Sequence, residues 1–214
     1  MIIAIDGSAA SGKGTLAKAV ARHLDYDYLD TGALYRALAL SLMETGANLD
    51  EIQENQAVEM ASALDLTLTQ SPLIRSDEIA GLASKVAAIG PVRQRLLALQ
   101  RNFAKAPAGG RGAVLDGRDI GTIVLPDADV KFFIDAAIDV RAARRTKELL
   151  QAGQSAMFRD VLAEMQARDD RDRTRSVAPL RPADDAITID TSEMDAATVL
   201  ALALTHINGV TRPE

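Results

Sequence analysis

Gly7-Ser8-Ala9-Ala10-Ser11-Gly12-Lys13 is the stretch in which residue type and spacing most directly suggest chemistry. It has the G-x-x-x-x-G-K spacing of a phosphate loop. An apolar run, Ile2–Ile5, precedes it and an apolar-periodic helix follows. Small side chains let backbone N–H groups converge on phosphate oxygens, and the positive end of the following helix dipole adds to them. Lys13 supplies a point charge for the β- and γ-phosphates of a nucleoside triphosphate. Gly14 follows the lysine, and the hydroxyl residue Thr15 comes one position later than in the simple pattern. Thr15 and Ser11 are therefore both candidates for the phosphates or for Mg²⁺.

Two further blocks carry groups suited to a second anion. In "LDTGALYR", Asp30 or Thr31 can cap a helix, and Arg36 lies one turn inside it. In "LDGRDIGT", a short apolar run delivers Asp116, Arg118 and Asp119 together. Asp116 can hold a water of a Mg²⁺ shell. Arg118 offers a planar fork to a phosphate, and Asp119 can accept from an exocyclic amine. "ARDDRDRTR" (Ala167–Arg175) places Arg168, Asp172 and Arg175 on one helix face, with Arg171 beside them. Alone, such a run would read as a solvated face. Beside a phosphate loop it reads as the cationic lining that phosphoryl transfer requires. Arg141, Arg144 and Arg145 are read as closing the helix that leads to a lid, placed to fold over a triphosphate. His23 and His206 are isolated and read as structural.

These residues need a scaffold, and the chain's rhythm supplies one. Short apolar runs at Ile2–Ile5, Tyr26–Leu29, Ala113–Leu115, Val130–Ile134 and Ala186–Ile189 read as buried strands. Four are followed at once by Asp6, Asp30, Asp116 and Asp135, and the fifth reaches Asp190. Between them lie helix-period segments at Gly14–Leu24, Ala33–Thr45, Asp50–Leu64, Asp77–Ile89, Val92–Ala104, Ile138–Gln151, Ala156–Arg171 and Asp195–Ile207. Alternation of this kind predicts an α/β fold in three layers, a parallel sheet covered on both faces. Its ligands are expected beyond the carboxyl ends of the strands, where the aspartates stand. Residues from about 50 to 100, with a polar turn at Thr69–Ser76, read as an insert, and residues from about 151 to 182 as a lid. Residues 1–214 are expected to form one domain.

The chain has 214 residues, is 48% hydrophobic, carries a net charge of −6 and has no cysteine. That length and apolar content suffice for one real core. The negative balance argues against nucleic-acid or anionic-membrane partners. Absence of cysteine excludes disulfides and thiolate metal sites. No run reaches a membrane span and no leader is read at the start, so a cytoplasmic monomer is expected. No N-K-x-D motif appears, which disfavours a GTPase, and the size points to a kinase of a small acceptor.

The blocks "AIDGSAASGKGT", "LDTGALYRALAL", "ASKVAAIGPVRQRLLALQR", "LDGRDIGTIVLPDADVKFFIDA" and "ARDDRDRTRSVAPLRPADDAITIDT" are collinear over nearly the whole chain. Together they closely resemble the bacterial cytidylate kinase family. The resemblance implies a P-loop kinase fold and transfer of the γ-phosphoryl of ATP, carried with Mg²⁺, to CMP or dCMP. It implies that Gly12, Lys13, Gly14 and Thr15 hold the ATP phosphates. Thr31 stands where the family usually has serine. Arg36, Arg118 and Arg175 would clamp the CMP phosphate; Ser84, Arg93 and Asp119 would read cytosine. Arg168 and Asp172 would hold the sugar and phosphate end, and Arg141 and Arg145 would serve the lid. The segment before "IRSDEIAGLASKVA" is shorter than in many members, so the acceptor-binding insert is expected to be trimmed. UMP or shikimate as acceptor, and a catalytically silent nucleotide sensor, are the competing readings.

Overall fold

The computed structural model describes residues 1–46 and 53–210. Five strands form one parallel sheet in the order β2-β3-β1-β4-β5, namely β1 Ile2–Gly7, β2 Asp27–Asp30, β3 Ala113–Gly117, β4 Val130–Asp135 and β5 Ile187–Asp190. All five lie where the short apolar runs predict them. β1 is central, pairing Ile3 with both Val114 and Val130. Its side chains from Ile3 to Ile5 are fully buried, as a strand covered on both faces requires. The expected aspartates are confirmed at the carboxyl edge but belong to the strands. Asp30, Asp135 and Asp190 are last residues, and Asp6 and Asp116 are penultimate.

On one face, α1 (Lys13–Leu24) and α8 (Ala196–Gly209) pack Leu16, Val20, Val199 and Ala203 against Ile3, Ile5, Phe132 and Ile134. His206 meets the Phe132 ring edge-on at 6.4 Å, a packing role. On the other face, Ala4, Leu115 and Ile120 pack with the end of α5 (Gly90–Lys105). Helix α2 (Thr31–Glu44) joins α3 (Glu54–Ser62), α4 (Asp77–Val86) and the start of α5 around a separate apolar cluster centred on Leu34, Leu38, Ile79 and Leu96. The helix expected from Asp50 begins, among described residues, at Glu54; positions 50–52 lie outside them. The expected polar turn is two 3₁₀ turns, Leu66–Gln70 and Pro72–Arg75, capped by Asp65 and Ser71. Helices α6 (Ile138–Gln151) and α7 (Phe158–Thr174) form a hairpin closed by Ala142, Leu149, Val161 and Met165.

The chain leaves β1 through a turn that only glycine can make. Gly7 has φ 152°, and a Cβ there would sit 1.9 Å from the Ile134 carbonyl oxygen of the neighbouring strand. Gly7→Ala must therefore push β4 away or rebuild the loop. The expected cost is about 3 kcal/mol or more, read as a thermal-melt shift. A melt unchanged from wild type would show the loop geometry to be wrong.

Candidate functional site

A cavity of about 1230 Å³ opens at the carboxyl edge of the sheet, bounded by the loop after β1, α2, α4, the turn after β3, and α7. Its floor is the Gly7–Lys13 loop. Three loop carbonyls are held by side chains. The Ser8 carbonyl accepts from Lys13 Nζ at 3.4 Å, that of Ala9 from Arg141 Nη1 at 3.3 Å, and that of Ser11 from Thr191 Oγ1 at 2.8 Å. Arg141 does not line the cavity, and because C=O and N–H point oppositely in a trans peptide, its hold on the Ala9 carbonyl turns the Ala10 N–H the other way. Gly12, at φ 91°, caps α1 and aims its dipole into the same space. Ser8 and Ser11 are fully buried with hydroxyls lacking a partner among the described residues.

Lys13, Gly14, Thr15, Asp116 and Asp30 stand together beside the loop. Burial and the nearby Arg118 push the Lys13 ammonium down to about 7, against the pull of Asp116 and Asp30. Burial and Asp30 push Asp116 up to about 6. Asp116 accepts from the Tyr28 hydroxyl at 2.8 Å. Of the two alternatives for the α2 cap, Asp30 takes the role, accepting from the Ala33 N–H at 3.0 Å and from Arg36 at 2.7 Å. Burial pushes the Asp30 carboxyl up, but Arg36 and Lys13 outweigh it and hold it below its ordinary value. The Thr31 hydroxyl instead donates to the Asp116 carbonyl at 2.8 Å.

The opposite wall gathers the other predicted residues. Arg93 and Asp119 form a buried ion pair; Arg93 also donates to the Ala87 carbonyl at 3.2 Å and lies 5.5 Å from the Tyr35 ring centre. Asp172 accepts from the Ser84 hydroxyl at 2.8 Å through one oxygen and from Arg118 Nε at 3.0 Å through the other. Burial pushes the Asp172 carboxyl up, but Arg118 and Arg168 outweigh it and keep it below its usual value. Arg168 is pushed down to about 10 by burial and by Arg118, and Arg175 is lowered by burial and by Arg93. Among the described residues, Nε of Arg168 and Nη2 of Arg175 are buried without a hydrogen-bond partner. Cations crowded until their charge is disfavoured, with donors left open, make a site for an anion with several oxygens.

The helix α6 arginines differ from expectation. They lie in the first eight residues of α6, not at its end. The helix starts directly beyond β4, so its first two turns remain at the sheet edge. Arg141 does not line the cavity. It is buried, pairs with Asp169 at 2.6 Å and braces the Ala9 carbonyl. Arg144 braces the loop indirectly by donating to Thr191. Arg145 lines the cavity but donates to Asp77 Oδ1 at 2.5 Å and to the Arg75 carbonyl at 3.1 Å, tying α6 to α4.

The sequence reading missed Tyr28, Tyr35, Asp77, Asp169 and Thr191. Tyr35 and Tyr28 sit one residue before and two before residues already singled out, and only that adjacency hinted at them.

Among the described residues no group of three or more His, Asp or Glu side chains could hold a metal. No helix of the described residues is long and apolar enough to cross a membrane.

A family model described as Cytidylate kinase matches residues 3–209. A cytidylate kinase from Paramagnetospirillum magneticum is 52% identical over 204 residues, 95% of each chain. One from Bartonella bacilliformis is 47% identical over 207 residues, 97% of this chain and 94% of that one. Among solved structures, an uncharacterized protein from Eubacterium ventriosum superposes with a TM-score of 0.56 at 16% identity, covering 98% of this chain and 99% of the other, a likeness of fold.

Proposed function

The chain belongs to the cytidylate kinase family, and on that premise we propose that it transfers the γ-phosphoryl group of ATP to CMP or dCMP, giving ADP and CDP or dCDP. One observation carries this reading beyond the family name. A phosphate-loop lysine and the guanidinium groups of Arg36, Arg118, Arg168 and Arg175 line one continuous cavity, which can bring two anionic nucleotides end to end.

The loop from Gly7 to Thr15 takes the ATP phosphates, with Lys13 as the charge on the β–γ bridge. Arg36, Arg118 and Arg175 hold the acceptor phosphate so that one of its oxygens lies in line with the γ-phosphorus. That phosphate is already ionised, so no side chain need remove a proton. Asp119 accepts from the cytosine N4 amine, and Arg93, steadied by the Tyr35 ring, donates to O2 and N3. Ser84 donates to Asp172, so toward the base it acts as an acceptor. Arg168 and Asp172 hold the sugar end, each Asp172 oxygen keeping a lone pair for a ribose hydroxyl.

The donor set fits Mg²⁺ carried by ATP, since the carboxylates near Lys13 are too few for a protein cage and suit outer-shell waters. Thr15 and Asp116 would hold that ion, which supplies charge neutralisation at the bridging oxygens. Residues from about 50 to 100 act as the acceptor insert and those from about 151 to 182 as a lid on a single domain, working as a cytoplasmic monomer. Arg145 would leave Asp77 for the triphosphate on closure, and Arg141 would hold the loop.

Acceptor-dependent ADP release measured across CMP, dCMP, UMP, AMP and shikimate tests the assignment. CMP and dCMP are expected to dominate. Equal turnover of UMP, or no acceptor dependence, overturns it.

The depressed Lys13 gives a pH dependence whose sign is fixed. Above about 7 the free enzyme has lost this proton, and the triphosphate restores it, so binding takes up a proton. ATP affinity should therefore fall as pH rises from about 7, approaching tenfold per unit. Calorimetry at about pH 8 in buffers of different ionisation enthalpy should show uptake of nearly one proton. Proton release would contradict the Lys13 role.

A further inference from the structure

Asp6 lies outside the set of substrate contacts, yet it is one of the most enclosed charged groups in the chain, 3% exposed. Its carboxylate grips two consecutive backbone donors of the turn after β3. Oδ1 accepts from the Ile120 N–H at 2.8 Å, and Oδ2 from the Gly121 N–H at 2.8 Å. These open a single π-helical turn, Ile120–Val124, which has no side-chain cap of its own. A helical turn begins with unsatisfied N–H groups, and a buried one needs partners. Here a neighbouring strand supplies them.

The peptide plane that carries the Ile120 N–H also carries the Asp119 carbonyl. Fixing that plane fixes where the Asp119 side chain starts, and Asp119 in turn holds Arg93. On its other side Asp6 is bonded to Gly7, the root of the phosphate loop. The next residue in the turn also leaves little slack. A Cβ on Gly121 would stand 3.1 Å from Lys131 Cδ and 3.5 Å from Asp6 Oδ2. Burial pushes the Asp6 carboxyl up to about 7 while the Gly121 and Ile120 amides pull it down. A purely apolar strand end would have avoided that cost.

We propose that Asp6 is a positioning residue for base selection: by gripping the Ile120 and Gly121 N–H groups it sets the Asp119–Arg93 pair that discriminates cytosine from uracil. It joins the root of the donor loop to the turn that reads the acceptor. The inference rests on the reading of Asp119 as the cytosine contact.

Asp6→Asn keeps size and shape but offers one acceptor, and sets an NH₂ against the second N–H. The expected result is a fall of about tenfold in the ratio of kcat/KM for CMP to that for UMP, the loss typical of one buried hydrogen bond. KM for ATP at saturating CMP should stay within about twofold, because the loop's own carbonyl braces are untouched. Gly121→Ala, whose Cβ crowds the same grip and presses on the Lys131 stem that Asp185 and the Pro126 carbonyl hold in place, should lower the ratio in the same direction and serves if Asp6→Asn fails to fold. A purely structural Asp6 would lower the melting temperature and leave the ratio unchanged in both variants, which overturns the proposal. A rise in KM for ATP alone also overturns it, placing Asp6 in the service of the loop. Asp119→Asn in the same assay separates the two levels. If it abolishes the preference while Asp6→Asn and Gly121→Ala keep it, only the role of Asp6 falls. If Asp119→Asn keeps the preference, both readings fall.

Discussion

Lys13→Met is expected to lower kcat for CMP phosphorylation by about a thousandfold or more, while leaving the melting temperature at or above that of the wild type. Removal of one fixed donor to a transferring group costs about a hundred- to a thousandfold, and a full positive charge in a cleft belongs at the upper end. Lys13 makes one long bond, 3.4 Å to the Ser8 carbonyl, and stands where burial and Arg118 disfavour its charge. Its ammonium is therefore a cost to the folded protein without a phosphate, fully present below about pH 7 and relieved as pH rises toward the ordinary lysine value. Methionine has nearly the same length without that charge. Coupled ADP-release rates and a thermal melt on the same preparation are the check. A kcat within tenfold of wild type would remove Lys13 from the reaction; a large loss of stability would make it a structural residue.

The elements that carry Lys13 were legible because they are written locally. Short apolar runs and period-3.6 apolar patterns fall within a few residues of the observed strands and helices, and a glycine-rich turn between them has few conformations available. The working edge was legible for the same reason, since each strand run ends in an aspartate. What could not be read was which side chains meet across the edge. Arg93 reaches Asp119 over 26 positions and Ser84 reaches Asp172 over 88, and no local pattern encodes either separation. Arg141 shows the same limit. Its spacing places it on α6, but only the crossing of α6 over the phosphate loop decides that it braces the Ala9 carbonyl instead of facing the cavity. Asp6 looked like one strand-end carboxylate among five. Its distinction comes from the π-helical turn opposite it, which periodicity does not announce.

Arg175→Met should reduce kcat/KM for CMP by about a thousandfold, with KM for ATP nearly unchanged, as expected for a charge-assisted, two-pronged phosphate contact. Arg175 follows the last turn of α7, and its Nε is committed to the Ala178 carbonyl at 2.7 Å. That bond orients the planar fork of a side chain that lines the cavity with Arg118 and Arg168, and Nη2 is buried without a partner among the described residues. Burial and Arg93 lower its affinity for its proton, and an anion bound beside it would raise that affinity again. Methionine removes an unsatisfied donor along with the charge, so folding should lose little. Arg175→Lys should recover less than a tenth of the lost activity. An ammonium cannot bond the Ala178 carbonyl and a phosphate oxygen in one fixed plane. Full rescue by lysine would mean that charge alone matters there and that the fork geometry does not. An unchanged kcat/KM for CMP in Arg175→Met would place the acceptor phosphate elsewhere in the cavity, nearer Lys13 and Arg36.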